Sequence, residues 1–106
     1  MYVYTVTIGR NVGDIPMRDI AWSTFEDQIN ALMASYVENG SVVEMHSGTG
    51  GWNGVSEDST KVTLITEHPL TDRKLADLKR GLAYYAAQYT QDAIALTIGQ
   101  SELITA

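Results

Sequence analysis

Apolar and polar positions change their period along this chain, and the changes mark out its elements. Tyr2, Tyr4, Val6 and Ile8 alternate with Val3, Thr5 and Thr7, a period of two in β-branched and aromatic residues that predicts a strand. Gly9 to Pro16 breaks the alternation with turn-forming residues and reads as a loop. The period then becomes three or four. Trp22, Phe25, Ile29, Leu32, Met33 and Tyr36 make one apolar stripe while Glu26, Asp27, Gln28 and Asn30 face away, which predicts a helix starting between Pro16 and Asp19. Asn39-Gly40 supplies its stop, since glycine adopts the left-handed conformation past a last turn.

Ser41 to Ser47 alternates again as a second strand, and Lys61 to Glu67 as a third that Pro69 ends. Thr71 is a suitable N-cap, and Asp72 places an anion in the first turn of a second helix. Leu75, Leu78, Leu82, Tyr85, Ala86 and Tyr89 form the stripe of that helix, with Gly81 in its middle. Ala93 to Ile98 is the fourth strand, and Gly99 to Ala106 reads either as a short extra strand or as a dimer arm. Between the second and third strands, Ser47 to Gly54 holds four glycines and Trp52. Glycine weakens regular structure, so the run predicts a flexible loop dividing two similar halves.

The order strand–helix–strand–strand–helix–strand predicts an α+β domain of ferredoxin-like type, with a four-stranded antiparallel sheet and two helices on one face. Tyr4, Val6, Ile8, Val43, Met45, Leu64, Ile94, Leu96 and Ile98 are then expected beneath the helices. Thr5, Thr7, Glu44, His46, Lys61, Thr63, Ile65, Glu67, Ala93, Ala95 and Thr97 would form the open face. A half-apolar open face predicts a dimer interface or a ligand surface.

Length and composition narrow the reading. At 106 residues residues 1–106 make one domain, small enough that a second copy would add materially to its core. No cysteine is present, so neither a disulfide frame nor a thiolate metal site can form. No stretch has the length of a membrane span or the pattern of a signal peptide, which gives an expectation of cytoplasmic location. Seven basic against thirteen acidic side chains give a formal charge of −6. Direct duplex binding is disfavoured, because it needs a clustered basic surface; a basic protein partner suits the charge better.

Candidate chemistry is sparse. Arg10 and Asn11 lie between a strand end and a helix start, where an anion would meet a guanidinium and free backbone donors; the plainer expectation is an Arg10–carboxylate pair and an Asn11 turn. His46 projects from the open face beside Glu44, and a carboxylate partner could tune it as a base. The two histidines, His46 and His68, lack metal-ligand spacing. The glycine run lacks the lysine-serine or lysine-threonine ending of a phosphate loop and precedes a strand. Trp52 either stacks on a ligand or folds back as a plug over the sheet edge. Tyr85 and Tyr89 continue an apolar stripe and read as core, and Gln91 is placed near Arg10 by the ends of the first and last strands.

Gly9-Arg10, Trp22-x-x-Phe25, Asn39-Gly40, Gly51-Trp52 and Tyr89-x-Gln91 follow one another in an order that resembles a family of small bacterial proteins of unknown function, with similar short proteins from bacteriophages of actinobacteria. The resemblance spans nearly the whole chain. It implies a fold and no catalytic residues. The bacterial relatives tend to be exported, so a chain without an export pattern is expected in the intracellular, phage-like branch. A phage origin implies a protein that counters host defence, by blocking a defence protein or by sequestering a nucleotide signal.

The expectation is therefore a homo-oligomeric, non-enzymatic binding module, without cofactor or metal. It would take a small anionic, nucleotide-type ligand or a host defence protein through Arg10, Asn11, His46, Trp52 and Gln91. Two other readings stand beside it. One is a dimeric α+β barrel enzyme using His46 and Glu44, and the other is a virion structural or assembly protein.

Overall fold

In a computed structural model of the chain, the described residues are 1–52 and 54–105, with Gly51 and Trp52 described by their backbone alone. The elements run β1 (Tyr2–Gly9), β2 (Asn11–Val12), β3 (Ile15–Pro16), α1 (Asp19–Ala34), β4 (Val42–Trp52), β5 (Val55–Thr66), α2 (Asp72–Gln88) and β6 (Ala95–Gln100). The main sheet has the order β4-β5-β1-β6 and is antiparallel throughout. With α1 and α2 on one face, this is the ferredoxin-like arrangement.

The register explains which side chains go inward. Val6 stands opposite Val62 and Leu96, and Tyr4 opposite Leu64 and Ile98, so cross-strand neighbours on the helix face are apolar. Tyr4, Val6, Ile8, Val62 and Leu64 are buried there beneath Trp22, Phe25, Ile29 and Met33 of α1 and Leu78 and Leu82 of α2. On the other face Thr5 and Thr63 face each other with hydroxyl oxygens 3.1 Å apart. Buried polar groups are paired: Thr60 Oγ1 donates to Glu26 Oε2 at 2.6 Å, and Tyr4 Oη accepts the Leu70 N–H at 2.8 Å.

α1 stops at Ala34 with Ser35 as its C-cap, before the Asn39-Gly40 stop expected from the sequence, whereas the start of α2 follows its signal. Thr71 caps α2 by accepting the Lys74 N–H at 3.2 Å. At the other end Gln91 N–H donates to Ala86 O at 2.8 Å and Thr90 N–H to Ala87 O at 3.3 Å, the paired bonds of a Schellman turn. That turn needs a left-handed residue, and here it is Thr90 at φ 55°. A β-branched residue at such a φ is strained.

Three further expectations are corrected. The glycine-rich stretch is not a flexible loop: Gly48 to Trp52 pairs with Ser59 to Val55 in one long hairpin. Backbone hydrogen bonds need no side chains, so the glycines join the ladder. The segment from Gly9 to Pro16 contains a small hairpin, β2 with β3, whose turn passes through Gly13 at φ 60°. Met45 and Ile98, both expected beneath the helices, are 46% and 48% exposed, since they stand on the two edge strands of the sheet, β4 and β6.

Candidate functional site

The end of β1 gathers three of the residues singled out in the sequence. Arg10 Nε donates to Met17 O at 2.8 Å, and its two terminal nitrogens reach Asp19 Oδ1 at 2.6 Å and Asp58 Oδ2 at 3.4 Å. The Arg10 side chain is 19% exposed. Asn11 N–H donates to Glu57 Oε2 at 2.9 Å, and Gln91 Nε2 donates to Asn11 O at 3.1 Å.

This geometry answers what the loop does with an anion. The guanidinium and the Asn11 N–H already hold carboxylates of the chain itself. Gly9 makes room for one of them, since a Cβ there would lie 2.6 Å from Glu57 Oε1. Asp19 also stands in the first turn of α1, where a negative charge complements the helix dipole. Arg10 thus ties β1, the β2–β3 hairpin, α1 and β5 at one point.

Gln91 does more than close this cluster. It stands at the end of a groove of about 630 Å³ between α2 and the β6 side of the sheet. The α2 wall is Leu82, Ala83, Ala86 and Ala87; the opposite wall is Ile94, Leu96 and Ile98. Lys79 marks one end, and Gln91 and Asp92 the other. The α2 wall leaves room for the groove because three of its four side chains are alanines. Its Gln91 end is set by the Schellman turn, with strained Thr90 one residue before; strain of this kind gathers at functional positions.

His46 lies elsewhere. Its Nε2 is 3.3 Å from Glu44 Oε2, and both side chains are exposed on the open sheet face. Trp52, the remaining candidate, has its side chain outside the described residues. The structure therefore brings Arg10, Asn11 and Gln91 together and sets His46 on the opposite face of the sheet.

A second, smaller cavity of about 210 Å³ lies where α1 ends and α2 begins, lined by Tyr36, Asn39, Thr66, His68 and Lys74 among others. Glu38 and Lys74 form an ion pair there. The Lys74 hydrogen bond and charge, with a smaller contribution from His68, hold the Glu38 carboxyl below its ordinary value of 4.5. At the other end of α2, burial followed by the nearby Tyr85 pushes the Tyr89 phenol up, so it stays a donor, and it donates to Gln28 Oε1. No group of three or more metal-ligating side chains occurs among the described residues. None of the described helices is long and apolar enough to cross a membrane.

Lys79, the three alanines and Leu96 carried no motif in the sequence. The signal available was the run Ala83, Ala86, Ala87 late in α2, facing a strand of larger side chains.

No protein-family model and no curated protein matches the sequence. Solved structures share the fold. A phage SAM lyase in its apo state gives a TM-score of 0.60 at 17% identity, covering 92% of this chain and 78% of the lyase. The phage lyase in complex with S-methyl-5'-thioadenosine gives 0.58 at 15% identity, covering 93% and 80%. The C-terminal domain of the MgtC protein from Mycobacterium tuberculosis gives 0.54 at 21% identity, covering 95% of this chain and 94% of that domain. At these identities the likeness is one of fold.

Proposed function

We propose that the chain is a non-enzymatic binding module whose α2–β6 groove takes a small nucleotide-type ligand. The observation that carries this reading is the groove itself. Its volume of about 630 Å³ falls within the roughly 300–1,000 Å³ of small-molecule sites, and its walls are apolar with polar groups only at the ends. A flat base fits between the alanines of α2 and Leu96. The Lys79 ammonium meets the anionic part, and Gln91 and Asp92 offer hydrogen bonds to the base or sugar. Arg10 and Asn11 act at one remove, since the Asn11 carbonyl holds the Gln91 amide.

The fold comparison supports the ligand class. The phage lyase with this fold is seen with S-methyl-5'-thioadenosine, an adenosine derivative. Together with the resemblance to actinophage proteins, it supports a phage-encoded homo-oligomer that acts in the host cytoplasm. There it withdraws a nucleotide-type signal from a defence system.

Native mass spectrometry of gently purified protein tests the reading. We expect extra mass that is released on denaturation and absorbs as a nucleotide. Ala86→Trp, which fills the groove, is expected to keep the melting temperature and lose that mass. Protein that carries no adduct and binds neither adenosine 5'-monophosphate nor S-methyl-5'-thioadenosine would overturn the reading.

A further inference from the structure

The groove is open along its β6 side, where Ile98 is 48% exposed. The same chain carries a segment suited to cover it. Beyond β6, Ser101 N–H donates to Met1 O at 2.8 Å, and the Met1 ammonium donates to Ser101 O at 3.0 Å. This reciprocal pair keeps the backbone in line with β1. Past it, Leu103 and Ile104 are 74% and 84% exposed, so the tail does not bury them in its own groove. Two large apolar side chains held in water and an apolar groove left open match each other.

Charge agrees with the match. Glu102 immediately precedes the apolar pair, and Lys79 stands at the groove end nearer β6's own C-terminus. Among the described residues Lys79 has no carboxylate partner within ion-pair distance. With a formal charge of −6 per chain, two copies repel at most approaches. A contact that sets Glu102 against Lys79 is favoured over one between acidic surfaces.

We propose that a second copy of this chain lays Leu103 and Ile104 over the α2–β6 groove, with its Glu102 toward Lys79, so that the ligand seat is completed between two copies. This rests on the groove being the ligand seat. The segment contributed by the second copy is short, so the contact depends on the two apolar side chains reaching the groove together.

The chain has no cysteine of its own, which makes cross-linking direct. Leu103→Cys protein is mixed with Ala86→Cys protein under mild oxidation. We expect a covalent dimer of twice the chain mass, and none when Leu103→Cys is mixed with Ser23→Cys, on the exposed side of α1. If no Leu103–Ala86 dimer forms, the inference is wrong. It is equally wrong if the double variant Leu103→Cys/Ala86→Cys, at high dilution, closes within one chain. Calorimetry with adenosine 5'-monophosphate separates this inference from the reading it rests on. Leu103→Ser/Ile104→Ser is expected to weaken that binding at least tenfold while the melting temperature of the fold holds. Full binding without any cross-linked dimer sinks the covering tail and leaves the groove as the seat. A cross-linked dimer that binds no nucleotide leaves the contact between copies and removes the ligand.

Discussion

The two helices lie on the same face of the same sheet, yet α1 buries four large side chains against it and α2 only two. Under α1, Trp22, Phe25, Ile29 and Met33 are all buried, three of them fully. Phe25 stacks on Tyr89 at 4.4 Å between ring centres and meets Trp22 edge-on at 6.1 Å. Under α2 only Leu78 and Leu82 are buried, and the alanines that follow leave the groove over β6. Both helices obey the same three-and-four spacing. The difference is that α2 turns Ala83, Ala86 and Ala87 toward β6, where α1 closes on the core with larger side chains.

The sharpest way to break this contrast is in the α1 half. Phe25→Ala removes a ring with no exposed surface, and a buried Phe→Ala costs about 3–5 kcal/mol. Chemical denaturation should show a loss of that size. An equal loss from any single alanine of the groove would erase the distinction.

Arg10→Ala comes next. It leaves the carbonyl of buried Met17 without this donor, which costs about 1–3 kcal/mol, whereas the exposed Asp19 and Asp58 carboxylates turn to water. We expect the loss in melting temperature even where ligand binding is unaffected once the protein is folded. Normal stability with lost binding would return Arg10 to the ligand.

Thr90→Gly acts at the turn that ends α2 on the way to β6. Removing the left-handed strain should stabilise the fold by up to about 1 kcal/mol, seen as a higher denaturation midpoint. If the strain aims Gln91 at the groove, the same variant weakens ligand binding.

The smallest effect is the Glu38–Lys74 pair, which lies in neither half. Glu38 has a lowered folded-state value, so its contribution is present above 4.5 and fades as the pH falls through the folded value. Glu38→Gln should lower stability slightly at neutral pH, leave it unchanged below the folded value, and so flatten the acid limb of a stability–pH curve.

Much of the fold was legible in the sequence because periodicity records burial directly. The alternation of Tyr2 to Ile8, the Trp22–Met33 stripe and the Thr71 cap all appear where the pattern puts them. Glycine content predicts a loop where β4 and β5 pair, because it speaks of propensity, whereas pairing is decided by the partner strand. The signal that pointed the other way was Asn53-Gly54, a dipeptide favoured in two-residue hairpin turns; Asn53 itself lies outside the described residues. The site was only partly legible. Gln91 and its neighbourhood to Arg10 could be placed from strand ends, but the Glu57 and Asp58 carboxylates come from that hairpin. The groove comes from small side chains, which leave no motif.

The proposed ligand seat is the open half between α2 and β6. A titration of isotope-labelled protein with adenosine 5'-monophosphate, followed through backbone amide signals, tests it most directly. A ligand in this groove should shift signals chiefly at Ala83, Ala86, Ala87, Gln91, Leu96 and Ile98, with the α1 stripe undisturbed. Shifts centred on Glu44 and His46 of the open sheet face, or on the Arg10 loop without the groove, would contradict it.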